Sequence, residues 1–384
     1  MKKAFIIFFS IVFSIYGLIN YYIFIHGLQA LPTGSYLKYI YIVLFIILSL
    51  SFIAGRFIER LSISILSKSL TWIGSFWLAA MVYFFFFVII IDILRLVNIF
   101  LRIFPPRETV TYVNLKLLIF LSSVLFVSLI VAGGYINAKN PVVKTIQIKI
   151  NKKASFLKSL NIVMVSDIHL GTIIGKKRFD DIVAKINTLN ADLVLLAGDV
   201  FDEDIKPVIQ NNTGETLKNI ESRYGVFGIT GNHEYIGGVE KACQYLSDHN
   251  VQMLRDSVIK INDSIYIAGR EDKSIKQFAK KSRKSLGEIL TGIDNNLPII
   301  VMNHQPTEFD EAMKNKVDLH LSGHTHHGQL WPFGFITNKV YTLSKGYLLK
   351  ENTHFFVSTG AGTWGPPIRT GNRPEIVNIK LIFN

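Results

Sequence analysis

Seven side chains that can bind a metal ion each follow a short apolar run in this sequence. Asp167 and His169 follow LNIVMV (160–165), and Asp199 follows ADLVLLA (191–197). Asn232 follows YGVFGIT (224–230), and His304 follows LPIIVM (297–302). His324 and His326 follow VDLHLS (317–322). Two carboxylates, one amide oxygen and four imidazoles, with no thiolate, suit Mn, Fe, Zn or a similar divalent ion. These donors exceed what one catalytic ion uses, but they serve two ions if one carboxylate bridges. Two ions about 3.5–4 Å apart neutralise phosphate oxygens and acidify a shared water. The hydroxide so formed attacks phosphorus in line, opposite the leaving oxygen. The chemistry expected is therefore phosphoester hydrolysis.

Spacing refines this expectation. Asp167-x-His169 and His324-x-His326 are i, i+2 pairs, so in an extended backbone both members of each pair point the same way. The third histidine of GHTHHGQ (323–329), His327, should then point elsewhere. His233 is adjacent to Asn232 but is not counted among the donors, which leaves it as a candidate general acid for the leaving group. One such element is weak evidence, since D-x-H or G-N-H alone is common in turns. Five in this order, each after an apolar β-rich run, are informative together. Amphipathic helical stretches at 177–190 and 238–249 lie between some of the runs. Ligand groups at strand ends are what an open α/β sheet offers.

The set D-x-H, G-D-x-x-D (198–202), G-N-H-[DE] (231–234), a separate His304 and G-H-x-H (323–326) resembles the calcineurin-like metallophosphoesterase superfamily. The resemblance covers approximately residues 155–384. NHQP (303–306), the closing STGAGTWGPPIRTGNRPEI (358–376) and an apolar N-terminal part look like its bacterial membrane-associated branch. The resemblance implies a four-layer α/β/β/α sandwich with a dinuclear site on one edge. Asp167, His169 and His326 would hold one divalent ion, Asn232, His304 and His324 the other, and Asp199 would bridge. It also implies that Asp202 pairs with His233, orienting the ring and favouring its protonated form. Members of related branches cleave a lipid-linked pyrophosphate, phosphodiesters or phosphomonoesters. The chain departs from the branch at His327, where glycine is usual. Glycine there suggests tight packing, and a histidine that tolerates the loop geometry is the expected reading.

Residues 1–140 are rich in Phe, Ile, Leu and Val, whereas 141–384 read as an ordinary globular sequence. The chain of 384 residues is thus expected to hold an all-α transmembrane domain of about four helices, then a phosphoesterase domain. The expected spans are about 4–25, 36–56, 71–92 and 115–136, each able to supply the ~20 apolar residues a bilayer requires. Lys2 and Lys3, then Arg56, Arg60 and Lys68, then Lys139, Lys144, Lys149, Lys152 and Lys153 put both termini in the cytoplasm. Arg95, Arg102 and Arg107 argue the other way, and DILRLVNIFLRIF (92–104) reads as an interfacial continuation of the third helix. Asp92 is expected to pair with Arg95 there, rather than serve an ion path.

The formal charge of +13 is dispersed and fits basic membrane flanks and anionic substrates. No nucleic-acid-binding signature accompanies it, so no specific nucleic-acid partner is expected. Cys243 is the only cysteine, which excludes an internal disulfide and a thiolate zinc site. Arg369 and Trp364 could recognise phosphate and stack on a base or interface, or simply pack the last loop. GREDKS (269–274) and the lysine-rich 276–284 stretch read as a solvated helix. The function expected is a membrane-anchored phosphohydrolase, with the bilayer and a phosphate ester, lipid-linked ones included, as partners. A metal-binding receptor without turnover and a nuclease on the same fold are the competing readings. Oligomeric state is left open.

Overall fold

Pro32 and the Pro105-Pro106 pair fall between helices, and the apolar stretches around them contain no proline, so long helices form. They are α1 (Lys2–Ala30), α2 (Tyr36–Leu61), α3 (Ile65–Leu101) and α4 (Val110–Lys139). The computed structural model describes residues 2–106 and 109–384, so Arg107 lies outside the described residues. Ser35 and Ser64 cap α2 and α3 by accepting hydrogen bonds from the main-chain N–H groups of Leu37 and Ser67. All four helices are long and apolar enough to cross a membrane. The 37 residues of α3 exceed one crossing, and the surplus carries the 92–101 stretch as an unbroken continuation of the helix.

Two compact units result, Met1–Gly134 and Tyr135–Asn384. Within the first, Ile23, Phe45, Trp77 and Met81 form a small core. Its buried polar group is matched, because the Trp77 indole N–H donates to Asn20 Oδ1 at 2.9 Å. Asp92 does meet Arg95, at 3.0 Å, but it also accepts from the Tyr22 hydroxyl at 2.6 Å and lies 3.0 Å from His26 Nε2. Sequence reasoning missed both α1 partners, which lie one helical turn apart and face α3.

The second unit holds two six-stranded sheets. One runs in the order β1 (Val142–Ile150), β12 (Glu375–Phe383), β2 (Ser159–Val165), β3 (Leu193–Leu196), β4 (Val226–Gly228), β5 (Val251–Met253). The other runs β10 (Gly346–Lys350), β11 (Thr353–Val357), β9 (Leu319–Ser322), β8 (Ile299–Met302), β7 (Ile265–Gly269), β6 (Ser257–Ile261). β2 to β5 are mutually parallel, as are β7, β8, β9 and β11. Parallel strands covered on both faces read as continuous apolar runs, which is how LNIVMV and LPIIVM look.

Alternation along each strand sorts side chains between layers. Ile162, Met164, Leu193 and Leu195 meet Ile300, Met302, Leu321 and Phe356 in a core between the sheets. Val163, Val165, Val194 and Leu196 face outward onto α5 (Lys176–Asn187) and the helix Val239–Asp248. Ile299, Val301, Phe355 and Val357 face the opposite helical layer, which includes Leu286, Phe309 and Ala312. The order is helices, sheet, sheet, helices, the four-layer sandwich expected.

GREDKS is a correction. Arg270, Glu271 and Asp272 are buried, and Arg270 Nη1 pairs with Glu308 at 2.9 Å and Glu311 at 2.6 Å. The run follows directly from β7, so its first charges are drawn into the fold and compensated there. The lysines from Lys280 onward are exposed as anticipated, but the expected helix is not formed there, since only Ile275–Phe278 of the 269–284 stretch is helical.

Candidate metal centre

The parallel strands of both sheets end on one edge of the sandwich, and every candidate donor sits just past a strand end. Asp167 and His169 follow β2, Asp199 follows β3, Asn232 follows β4, His304 follows β8, and His324 and His326 follow β9. The expected extended backbone is absent. Asp167, His169, Asp199, His324 and His326 have φ of 52°, 54°, 52°, 72° and 45°, in the left-handed region. For non-glycine residues each such conformation costs on the order of 1–3 kcal/mol and persists only where the surroundings hold it. Here the carboxylates themselves do so. Asp167 accepts the His324 N–H at 2.9 and 3.0 Å, and Asp199 Oδ1 accepts the His233 N–H at 2.9 Å. Gly231 and Gly323 let the backbone pass against these carboxylates, where a Cβ would collide with Asp199 and Asp167 respectively.

Three groupings result in which ligand atoms lie within 4.8 Å of one another: Asp167–His169–His326, His169–Asp199–His233 and Asp199–His304–His324. His169 Nε2 is 3.0 Å from His326 Nε2, which is 3.5 Å from Asp167 Oδ1. Asp199 Oδ2 is 3.0 Å from His304 Nε2 and 4.0 Å from His169 Nε2. Asp199 therefore lies between the two outer groups. Asn232 lines the same cavity, and its Oδ1 is buried with no hydrogen-bond partner among the described residues.

The donor set fits divalent metal. Four imidazoles and two carboxylates are gathered in a buried pocket with an orphaned amide oxygen, a costly arrangement without a cation. The His304 tautomer supports the fit. Its Nδ1 donates to the Ala197 carbonyl at 2.8 Å, so the neutral ring turns an Nε2 lone pair toward Asp199. Burial by itself would lower the pKa of His304, but the Asp199 and Asp167 charges outweigh it and hold the pKa well above the usual imidazole range. Burial likewise works to raise the Asp199 pKa, but His304 and His233 hold it well below the usual carboxylate range. A proton on His304 thus occupies the place that a cation can take. Asp167 is pushed up to about 6, by burial above all and by the nearby Asp199 charge, against the opposing effect of His304.

His233 Nδ1 donates to the main-chain carbonyl of Asp202 at 2.6 Å. The Asp202 carboxylate is 4.0 Å from that nitrogen and 3.9 Å from His169 Nδ1. Burial opposes protonation of His233, but Asp199 and Asp202 prevail and raise its pKa. The ring stands edge-on to both His169 and Trp364, with centroids 4.6 and 5.9 Å away.

Arg369 is fully buried, which settles its role against direct phosphate contact. It donates to His326 Nδ1 at 3.0 Å, to the Gly362 carbonyl at 2.7 and 3.0 Å, and to Asn372 Oδ1 at 2.6 Å. It fixes the His326 ring from behind. Trp364, 55% exposed, stands at the mouth of the cavity. His327 does point away, with Nδ1 2.9 Å from Ser344 Oγ. Its φ of 43° explains why glycine suits that position, and the histidine tolerates the geometry by burying its ring. Glu234 is the acidic fourth residue of G-N-H-[DE], to which sequence reasoning assigned no role. It is buried, and it accepts the N–H groups of Asp199, Phe201 and Gly231 at 3.0, 3.0 and 2.7 Å, tying the β3 and β4 ends together. The acidic fourth position of that motif was the available signal.

Beside the cluster lies a cavity of about 420 Å³. Its lining includes His169, Asp199, Asn232, His233, His324 and His326, and no Lys or Arg among the described residues. Phosphate charge admitted there meets no lysine or arginine side chain.

A layered α/β sandwich with Asp, His and Asn gathered at one strand edge defines a metal-dependent phosphoesterase. Residues 160–328 match the calcineurin-like phosphoesterase family. Across 98% of both chains the protein is 31% identical to a Campylobacter jejuni protein named as an uncharacterized metallophosphoesterase. It is 32% identical to a Danio rerio transmembrane protein with metallophosphoesterase domain, over 65% of this chain and 59% of that one. Among solved structures, a 5′-nucleotidase precursor from Thermus thermophilus aligns with 58% of this chain and 54% of its own, at 15% identity and a TM-score of 0.34. The chain belongs to the calcineurin-like metallophosphoesterase family, and it is a membrane protein.

Proposed function

We propose that the protein is a multi-pass membrane phosphohydrolase that uses two divalent ions to cleave phosphoester or pyrophosphate bonds, with lipid-linked esters as its natural substrates. Residues 1–140 would form the membrane domain and 141–384 the catalytic domain, on the cytoplasmic side. The reading rests on one observation: seven donors from both sheets converge at a single edge, and Asp199 lies within reach of both outer groups. Asp167, His169 and His326 would hold one ion, Asn232, His304 and His324 the other, and Asp199 would bridge. Such ions supply charge neutralisation of the phosphate and a nucleophilic hydroxide at neutral pH.

The remaining work belongs to side chains of this chain. His233, its Nδ1 committed to the Asp202 carbonyl, keeps Nε2 for the leaving oxygen, and its raised pKa keeps a proton there to donate. Asp202 orients the ring through its carbonyl and favours the imidazolium through its carboxylate. Arg369 and Glu234 hold His326 and the Asp199 loop in place. The absence of Lys and Arg from the cavity lining supports metal as the counter-charge for phosphate.

The test is hydrolysis by full-length protein in nanodiscs with Mn²⁺, against aryl phosphomonoesters, aryl phosphodiesters and a lipid-linked pyrophosphate. Turnover of at least one class, abolished by a chelator and restored by metal, is the expected result. Metal-loaded, folded protein that turns over none of the three overturns the proposal.

A further inference from the structure

Directly after G-H-T-H-H-G the chain builds an element with two dissimilar faces. Phe333, Thr337 and Tyr341 recur at helical spacing along and beside the helix Gly334–Val340, and all three line the metal-site cavity. The other side carries Trp331, Phe335, Ile336 and Val340, which are 58%, 66%, 58% and 67% exposed. Trp364 joins them at the cavity mouth, because Gln329 clamps its loop, donating to the Trp364 and Pro366 carbonyls at 3.0 and 2.9 Å. An apolar cluster of this kind on an otherwise ordinary water-exposed domain marks an interaction surface.

Charge and tether identify the partner. No Asp or Glu occurs between Asp318 and Glu351, whereas Lys339, at the end of the helix, and Lys345, just before the start of β10, are exposed. Apolar and Trp residues flanked by lysines are the composition of elements that lie in the interface of an anionic bilayer. Only two residues separate the end of α4 at Lys139 from the start of β1 at Val142, so this domain has no long linker on which to leave the membrane.

We propose that Trp331–Val340, together with Trp364, docks on the anionic lipid surface and seats the mouth of the metal cavity at headgroup level. The substrate is then an amphiphilic phosphoester whose apolar part leaves the cavity along Phe333, Tyr341 and Trp364. This substrate assignment rests on the phosphohydrolase reading, whereas the docking does not.

The experiment uses full-length protein in phosphatidylcholine–phosphatidylglycerol nanodiscs. Ile336→Cys, made in a Cys243→Ser background that removes the sole native cysteine, carries an environment-sensitive dye. Asp263→Cys, on the β6–β7 hairpin at the other end of the strands, is the control. Nitroxide-bearing lipids are expected to quench the dye at 336 and spare the dye at 263. In parallel, ethyl and hexadecyl p-nitrophenyl phosphate present the same reacting centre with different apolar reach. Wild type is expected to favour the hexadecyl ester in kcat/KM by about tenfold or more, an effect that burial of roughly two methylenes suffices to produce. Phe335→Ser/Ile336→Ser/Val340→Ser is expected to lose that preference while turning over the ethyl ester as wild type does. An unquenched dye at 336 overturns the docking, as does a 336–336 crosslink that shows the face buried in a dimer. Quenching with no hydrolysis of either ester, of an aryl phosphomonoester or of a lipid-linked pyrophosphate refutes the phosphohydrolase reading instead and leaves the docking standing. Quenching with hydrolysis of the monoester or pyrophosphate alone removes the amphiphilic-diester assignment. Quenching with equal turnover of both esters removes the amphiphile assignment alone.

Discussion

Replacing Asp199 by asparagine should damage the centre more than any other single ligand change. Its carboxylate lies 3.0 Å from His304 Nε2 and 4.0 Å from His169 Nε2, so it faces both outer donor groups at once. Asp199→Asn removes a unit of negative charge from both and, in one amide orientation, turns an N–H toward the place of a cation. Changes that merely support a ligand cost about 10–100-fold in metal affinity, so loss of a shared anionic ligand should cost at least about 100-fold for each ion. That is about 2.8 kcal/mol per ion at 1.4 kcal/mol per decade. His326→Ala removes a donor from the Asp167–His169–His326 group alone and should empty one position while sparing the other. The assay is equilibrium dialysis against Mn²⁺ followed by elemental analysis, on full-length protein in nanodiscs with thermal unfolding as a check on folding. Loss of a single ion, by the same factor, in both variants refutes the bridging role.

His233→Asn should retain its metal and lose about 10²–10⁴ in turnover on an alkyl ester, with a smaller loss on a p-nitrophenyl ester that leaves without protonation. Equal slowing on both esters, or loss of an ion, makes His233 structural or ligating. Metal affinity should climb as pH rises from the ordinary imidazole range through the raised pKa of His304, because the cation displaces that proton. The sign for the metal-free fold is opposite. A raised histidine pKa stabilises fully below its unfolded value, near 6.5, and this contribution fades as pH rises through the folded value. Unfolding temperatures of chelated protein should therefore decline above neutrality while those of metal-loaded protein hold, and parallel curves would refute the exchange. Arg369→Leu leaves the Gly362 carbonyl and the Asn372 side chain short of a buried donor, which should cost about 1–3 kcal/mol for each group left unsatisfied. It should also weaken the ion beside His326 by about 10–100-fold, and an unchanged metal titration with intact stability would discount the positioning role.

Much of this centre could be read before any coordinates, because its donors follow apolar β-runs, and strands covered on both faces are conspicuous in sequence. β2, β3, β4, β8 and β9 were all marked this way, and each carries its donors just past its end. What failed was the local geometry. The i, i+2 argument assumed extended backbone, whereas Asp167, His169, His324 and His326 converge through left-handed turns that only the assembled carboxylate network holds. Arg369 stayed open between phosphate contact and loop packing for a related reason. A sequence shows an arginine in a Gly/Pro-rich tail, but the burial that spends its donors on His326, Gly362 and Asn372 is a tertiary fact. Likewise the Asp92 site needed His26 and Tyr22 from a helix more than sixty residues earlier.

The most direct test of the account titrates metal-free, full-length protein with Mn²⁺ while following phosphoester hydrolysis and bound metal together. If Asp199 joins two ions into one catalytic centre, bound metal saturates at two per chain, and activity rises mainly with the second. Saturation at one ion with full activity contradicts the dinuclear account, and hydrolysis that persists in the fully chelated protein contradicts the metal mechanism altogether.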